Sequence, residues 1–128
     1  MPLICGHTYV YRCIWIDPPK DKIGICFCSE RNWLFWFNTA PRFHGHGQMA
    51  VAQTDFPQVL TRDCYLDLSQ VCAASPQERS VANDRGMTPS PLLEKLLLAL
   101  GDPIATLPDV NRKLALENLT AANTPSTA

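Results

Sequence analysis

Hydrophobic and polar positions divide the chain into a first half typical of strands and a second half typical of helices. Five runs rich in β-branched and aromatic residues predict strands at 8–16, 22–28, 33–37, 48–52 and 63–71. Four polar residues at 29–32 separate the second run from the third, which predicts a hairpin. Pro18 and Pro19 predict a loop between the first two runs, because proline cannot continue a hydrogen-bonded ladder.

The second half carries three helix signals. Residues 75–78 read Ser-Pro-Gln-Glu, a capping box with proline at the first helical position, and they predict a short helix that stops at Gly86. Four leucines within 93–100 recur at i, i+3, i+4 and i+7, which is the apolar stripe of a second helix ending at Gly101. A weaker apolar pattern at 107–114 predicts a last helix.

The order of these elements predicts the fold class. Consecutive short strands followed by helices favour a mainly β protein, a small five-stranded antiparallel barrel capped by two or three short C-terminal helices. The length of 128 residues and the apolar fraction of 46% are typical of one domain with one core. We expect this single domain to span 1–118. Residues 119–128 have few core-forming side chains, and we expect a disordered tail there.

Charge and apolar run length limit the kinds of partner. A net charge of −1 gives no general attraction to nucleic acid, so a phosphate-binding face must be a local patch. The N-terminal residues show no basic segment followed by an apolar one, so no signal peptide is predicted. The apolar runs are shorter than a membrane span. We therefore expect a cytoplasmic protein with no membrane partner.

The six cysteines, at 5, 13, 26, 28, 64 and 72, show no CxxC spacing. In a reducing compartment we expect unpaired, buried thiols. Cys26 and Cys28 alternate within one predicted strand and should share a face of it. The alternative is a zinc site that joins these two thiols to one or both of His44 and His46.

Candidate chemistry is concentrated in the stretch FNTAPRFHGHGQ, residues 37–48. Counting outward from the turn at 29–32, Cys28 faces Trp33, and this register brings Lys22 level with Thr39. The following loop carries Arg42, His44 and His46 and leaves from the same edge. These residues are therefore predicted to line one groove that receives phosphate.

The order of features resembles that of the PemK/MazF toxins. In that family a first strand ends in a proline-containing loop, a basic residue opens the second strand, the third strand ends in Thr or Ser, and an amphipathic helix follows later. The matching pieces within residues 8–100 are YVYRCIWIDPP, KIGICFC, LFWFNT, LTRDCYLDLSQV and DRGMTPSPLLEKLLLAL. The resemblance implies an SH3-like barrel that cleaves single-stranded RNA without a metal or cofactor. It also implies an antitoxin-like protein partner and a homodimer.

In that family the key positions for RNA cleavage are the basic residue that opens the second strand and the Thr or Ser that ends the third. Carried over to this chain, the resemblance assigns these positions to Lys22 and Thr39. The family has arginine where this chain has Lys22, and only arginine offers a bidentate fork to phosphate. Arg12 and Arg42 are the alternatives for that fork. His44 and His46 have the side chains to act as general base and acid in RNA cleavage.

Each of these residues also has an ordinary structural interpretation. The two histidines fit an exposed turn, Lys22 a solvated strand edge, and Thr39 a turn-capping hydroxyl. Trp33 and Trp36 lie on opposite faces of one strand, so at least one belongs to the core, and we assign base stacking to Trp36. The alternative function is a non-catalytic barrel that binds a protein partner or RNA.

Overall fold

The computed structural model describes residues 2–13, 20–40, 47–101 and 107–123. These residues form one seven-stranded antiparallel sheet with three helices. The strands are β1 (His7–Cys13), β2 (Lys20–Cys28), β3 (Trp33–Asn38), β4 (Gln48–Val51), β5 (Cys64–Asp67), β6 (Cys72–Ala73) and β7 (Asn83–Met87). The helices are α1 (Pro76–Val81), α2 (Ser90–Gly101) and α3 (Asp109–Asn123). The prediction of a mainly β, antiparallel protein with C-terminal helices is confirmed.

The prediction of a closed five-stranded barrel is wrong. The strand order is β4-β5-β3-β2-β1-β7, and β6 pairs with the start of β3. The described parts of β4 and β7 form the two edges and do not pair with each other. Both edges of β1 are hydrogen-bonded, one to β2 and the other to β7, so β1 has no free edge with which to close a barrel. The sheet is therefore open.

The sheet buries side chains on both of its faces. On one face, α2 and α3 cover the main core, whose fully buried members include Ile25, Phe35, Leu66, Leu93 and Leu119. On the other face, a smaller cluster consists of Leu3, Tyr9, Cys26, Leu34 and Ala74. Burial on both faces explains why β2 and β3 are almost continuously apolar rather than alternating with polar residues.

A β-bulge at Phe27 changes the register of the β2–β3 hairpin. Cys28 pairs with Trp33 as predicted, but Cys26 pairs with Leu34, so Phe27 is the extra residue. The bulge directs Cys28 into the main core while Cys26 packs in the smaller cluster. The prediction that these two cysteines share a face is therefore wrong, because it assumed uninterrupted alternation.

The predicted capping box forms at the start of α1. The Ser75 hydroxyl oxygen accepts a hydrogen bond from the Glu78 backbone N–H at 3.1 Å, and the Glu78 carboxylate accepts one from the Ser75 backbone N–H at 2.9 Å. The helix stops at Val81 rather than at Gly86. The residues that follow pair with β1 as β7, and this long-range pairing prevails over continuation of the helix.

The leucine stripe of α2 is buried as predicted, with Leu93, Leu96 and Leu100 fully inaccessible to solvent. Helix α3 continues past the predicted start of the tail at 119 and ends at Asn123. Leu119 is fully buried in the main core, and the neighbouring Asn118 side chain donates a hydrogen bond to the Phe27 carbonyl at 3.0 Å. These contacts hold the last turns of α3 against the sheet. The remainder of the predicted tail, 124–128, lies outside the described residues.

Candidate functional site

Lys22 and Thr39 lie at the same edge of the sheet. Lys22 is near the start of β2, and Thr39 directly follows the end of β3. Gly24 pairs with Trp36, and continuing this register places Lys22 opposite Asn38, one position before Thr39. The prediction that Lys22 lies level with Thr39 is therefore wrong by one position, because it did not include the bulge at Phe27. Lys22 and Thr39 nevertheless line one depression of about 250 Å³. Its other lining residues are Lys20, Asp21, Phe37, Asn38 and Ala40.

The Lys22 side chain lies over an aromatic ring. Its Nζ atom is 4.9 Å from the centroid of the Trp36 ring, and Trp36 meets Tyr11 edge-to-face with 6.3 Å between centroids. A Cβ atom at Gly24 would lie only 3.2 Å from Cδ1 of Trp36, so the glycine makes room for the indole. Trp36 is half-buried, and the ammonium group covers one of its faces. The ring face available to a stacked base is therefore smaller than the sequence suggested.

A second, larger depression of about 440 Å³ also has Thr39 on its lining. Four residues line both depressions, namely Asp21, Phe37, Asn38 and Thr39. The larger one adds two arginines that the sequence analysis did not identify, Arg62 and Arg85. Arg62 precedes β5, and Arg85 belongs to β7, which the sequence pattern assigned to the end of a helix. No local pattern marks either arginine, because sheet pairing alone brings them to this edge.

The two depressions are lined by more positive than negative charge. Among the described lining residues, Lys20, Lys22, Arg62 and Arg85 contribute four cations, and Asp21 contributes one carboxylate. The Arg85 guanidinium donates a hydrogen bond to the Gln58 carbonyl at 3.4 Å. Arg62 makes no hydrogen bond or ion pair with any residue in the described ranges. A local cationic surface thus exists on a chain whose net charge is −1.

The remaining predicted site residues divide into two groups. Arg12 pairs with Asp21 in the β1–β2 register, and its Nη1 atom is 3.6 Å from an Asp21 carboxylate oxygen. Arg12 therefore lies beside the site and partly neutralises its carboxylate. Arg42, His44 and His46 lie outside the described residues.

No histidine is among the described residues that line either depression. His7 instead pairs with Asp84, with 2.9 Å between Nδ1 and Oδ1. Burial acts to raise the pKa of Asp84, but hydrogen bonds from the Gly86 N–H and from His7 outweigh it and lower that pKa. The contact of His7 with Asp84 thus joins β1 to β7, and its role is structural.

No disulfide bond joins any of the five cysteines whose side chains the structure describes, Cys5, Cys26, Cys28, Cys64 and Cys72. Burial raises the pKa of Cys26 to about 12, and it raises those of Cys5 and Cys64 to about 11. Within 2–13, 20–40, 47–101 and 107–123, no group of three or more His, Cys, Asp or Glu side chains is placed to hold a metal ion. The histidines of the zinc alternative, His44 and His46, are outside these ranges.

Comparison of the chain with protein-family models, with curated proteins and with solved structures finds no match. Among the helices of the described residues, none has the length and apolar character needed to cross a membrane.

Proposed function

We propose that the protein binds single-stranded RNA across the edge of the sheet at Thr39 and cleaves it without a metal ion. The observation that carries this proposal is the position of Thr39. This residue lines both depressions, of which the smaller is also lined by two lysines and the larger by two arginines. An extended polyanion laid across the edge would place one phosphate beside the Thr39 hydroxyl and neighbouring phosphates near the flanking cations.

The chemistry assigned to the site is attack of an RNA 2′-hydroxyl on the adjacent phosphorus. The developing phosphorane carries extra negative charge, which the Lys22 ammonium and hydrogen bonds from Thr39 and Asn38 would stabilise. A general base and a general acid are also needed. We assign these roles to His44 and His46, since chain connectivity keeps His44 within five positions of Thr39.

A second candidate function is RNA binding without cleavage. The observation in its favour is the contact of Lys22 with the Trp36 ring. A lysine held over an aromatic ring is a positioned point charge and lacks the bidentate fork of the arginine found in the resembled family. The same surface would then bind a phosphate backbone with no catalytic turnover.

Incubation of the purified protein with end-labelled single-stranded RNA in excess EDTA tests the proposal. We expect cleavage by the wild-type protein, and a reduction of roughly 10²-fold in rate for Thr39→Ala and for Lys22→Ala, the scale for one group acting on the transition state. Glu30→Ala is the control, because Glu30 is exposed and lines a different depression, beside α3.

Filter binding of the same RNA separates the two candidate functions. If the RNA stays intact but binds the wild-type protein, and binds the Lys22→Ala variant more weakly, the result favours the non-catalytic function. Intact RNA with no binding to the wild-type protein would contradict both.

A further inference from the structure

We propose that the depression containing Arg62 and Arg85 is a nucleotide subsite, which takes one nucleotide of single-stranded RNA next to Thr39. In this subsite the two arginines bind the phosphate group and the apolar floor receives the base. The inference rests on the proposed RNA-directed function and specifies how the substrate is held. It also assigns phosphate binding to the guanidinium groups of Arg62 and Arg85 rather than to those of Arg12 and Arg42.

The floor of the depression is apolar and firmly packed. It consists of side chains from β1, β2 and β3 together with the segment 59–60, namely Val10, Ile23, Phe37, Val59 and Leu60. Phe37 and Leu60 are only 6% and 3% exposed and belong to the main core. A nucleobase has two flat apolar faces, so contact with such a floor removes apolar surface from water.

The rim of the depression is polar. Asn38, Thr39 and Thr61 supply hydrogen-bonding groups, and Arg62 and Arg85 supply the cations. An arginine guanidinium presents paired N–H donors that match two oxygens of one phosphate. Arg62 has no hydrogen-bond or ion-pair partner within the described ranges, so no contact to those residues competes with a ligand for its donors.

The segment that carries Arg62 is anchored before any ligand binds. The Leu60 N–H donates to the Phe56 carbonyl at 2.9 Å, and the Gln53 N–H donates to the Asp63 carboxylate at 2.8 Å. Phe56 is 3% exposed and holds the start of this turn in the main core. Arg85 is anchored in a different way, since its strand β7 pairs with β1. Two arginines on independently fixed elements thus face one depression, which lowers the cost of ordering them around a ligand.

The size and charge of the depression fit one nucleotide. Its volume of about 440 Å³ falls within the usual range for small-molecule sites, about 300–1,000 Å³. Asp21 is the one carboxylate among the described residues of its lining, and the Arg12 guanidinium lies 3.6 Å from it. Two cations therefore remain for the phosphate, and the Asp21 carboxylate can accept a hydrogen bond from a ribose hydroxyl or an exocyclic amine.

The test is a titration of the ¹⁵N-labelled protein with uridine 3′-monophosphate, followed by ¹H–¹⁵N correlation spectra. Parallel titrations use uridine and inorganic phosphate. We expect the nucleotide to bind more tightly than either part alone and to shift the amide signals of residues 59–62 and of Arg85. Arg62→Ala should weaken binding by about 10-fold or more, the effect of losing one charge-assisted hydrogen-bonding group. Arg62→Lys should recover only part of the affinity, since lysine has no fork.

Arg31→Ala is the matched control, because Arg31 is an exposed arginine whose guanidinium lies over the Trp33 ring, away from both depressions. Equal affinity for the nucleotide in the wild type, Arg62→Ala and Arg85→Ala would overturn the subsite, as would shifts confined to other residues. Equal affinity for phosphate and for the nucleotide would overturn the base-binding floor.

The RNA cleavage assay on the same variants separates this inference from the proposed function. If the wild type cleaves RNA but nucleotide binding does not depend on Arg62 and Arg85, the subsite is contradicted and the proposed function stands. If nucleotide binding depends on these arginines but RNA is not cleaved, the catalytic proposal is contradicted and the subsite stands.

Discussion

Lys22 shows how a single side chain takes its role from its surroundings. A lysine near the start of a strand ordinarily extends into solvent, yet the Lys22 ammonium lies over the Trp36 ring, which itself contacts Tyr11. The cation–π contact restricts the lysine to one place at the sheet edge. Replacement of Lys22 by arginine would change this contact, because the larger planar group would have to stack on Trp36.

Cys26 shows how burial changes the pKa of a single side chain. Its thiol is completely inaccessible in the smaller apolar cluster, and desolvation raises its pKa from 9.0 to about 12. A folded-state pKa above the unfolded value means that the fold favours the protonated thiol. The resulting stabilisation is fully present below pH 9, and it is lost as the pH rises through the folded pKa.

We therefore expect the free energy of unfolding to fall as the pH is raised from 9 towards 12, and to fall less steeply in a Cys26→Ala variant. Urea unfolding at a series of pH values measures both slopes. The comparison with the variant is needed because burial also raises the pKa of Tyr9. Identical slopes in the two proteins would contradict a buried, protonated Cys26.

At the scale of secondary structure elements, α3 extends further than its sequence pattern indicates. Its pattern is weak because the buried positions are few, Ala115 and Leu119, and polar residues are interspersed among the other apolar ones. Leu119 nevertheless packs fully inside the main core, so contact with the sheet stabilises the last turns more than intrinsic helix propensity does.

Leu119→Ala should lower the free energy of unfolding by about 2–5 kcal/mol, because it leaves a cavity in a fully buried position. Val110→Ala is the control on the same helix. Val110 is 75% exposed, so its truncation should change stability by no more than about 0.5 kcal/mol. Chemical unfolding monitored by circular dichroism measures both values. Equal effects of the two substitutions would contradict the docking of the C-terminal turns.

At the scale of the whole molecule, charge distribution matters more than net charge. The chain carries a net charge of −1, yet the described residues that line the edge at Thr39 supply four cations and one carboxylate. The sheet produces this separation, since β2, β7 and the segment before β5 each bring cations to one place. An RNA strand approaching this edge would meet an attractive local field.

The affinity for single-stranded RNA should therefore fall with salt. If about three phosphates are neutralised, a plot of log K against log salt concentration should have a slope of roughly −2. Arg62→Ala should make the slope shallower by roughly 0.7, the contribution of one phosphate contact, while Arg31→Ala should leave it unchanged. Fluorescence anisotropy of a labelled oligonucleotide provides the measurement. An affinity that does not change with salt would contradict phosphate binding at this edge.

The sequence alone determined the features that depend on neighbouring residues. The apolar runs of β2 and β3, the tight turn between them, the capping box at Ser75 and the leucine stripe of α2 were all predicted correctly. Each of these depends on backbone propensity, side-chain periodicity or a hydrogen bond between residues close in the chain. The hairpin also predicted that Lys22 lies near the end of β3, but the predicted pairing with Thr39 is off by one position because of the bulge.

Tertiary structure alone decided the remaining features. The strand β7 exists because β1 offers it an edge, and that same pairing occupies the edge that a closed barrel would need. The bulge at Phe27 interrupts the alternation of β2 between two cores on opposite faces of the sheet. It thereby places Cys26 and Cys28 in different clusters. Arg62 and Arg85 come from segments more than 20 positions apart and meet Thr39 only through pairing across the sheet. Long-range hydrogen bonding and burial select among arrangements that are locally equivalent, so no local pattern could identify these residues.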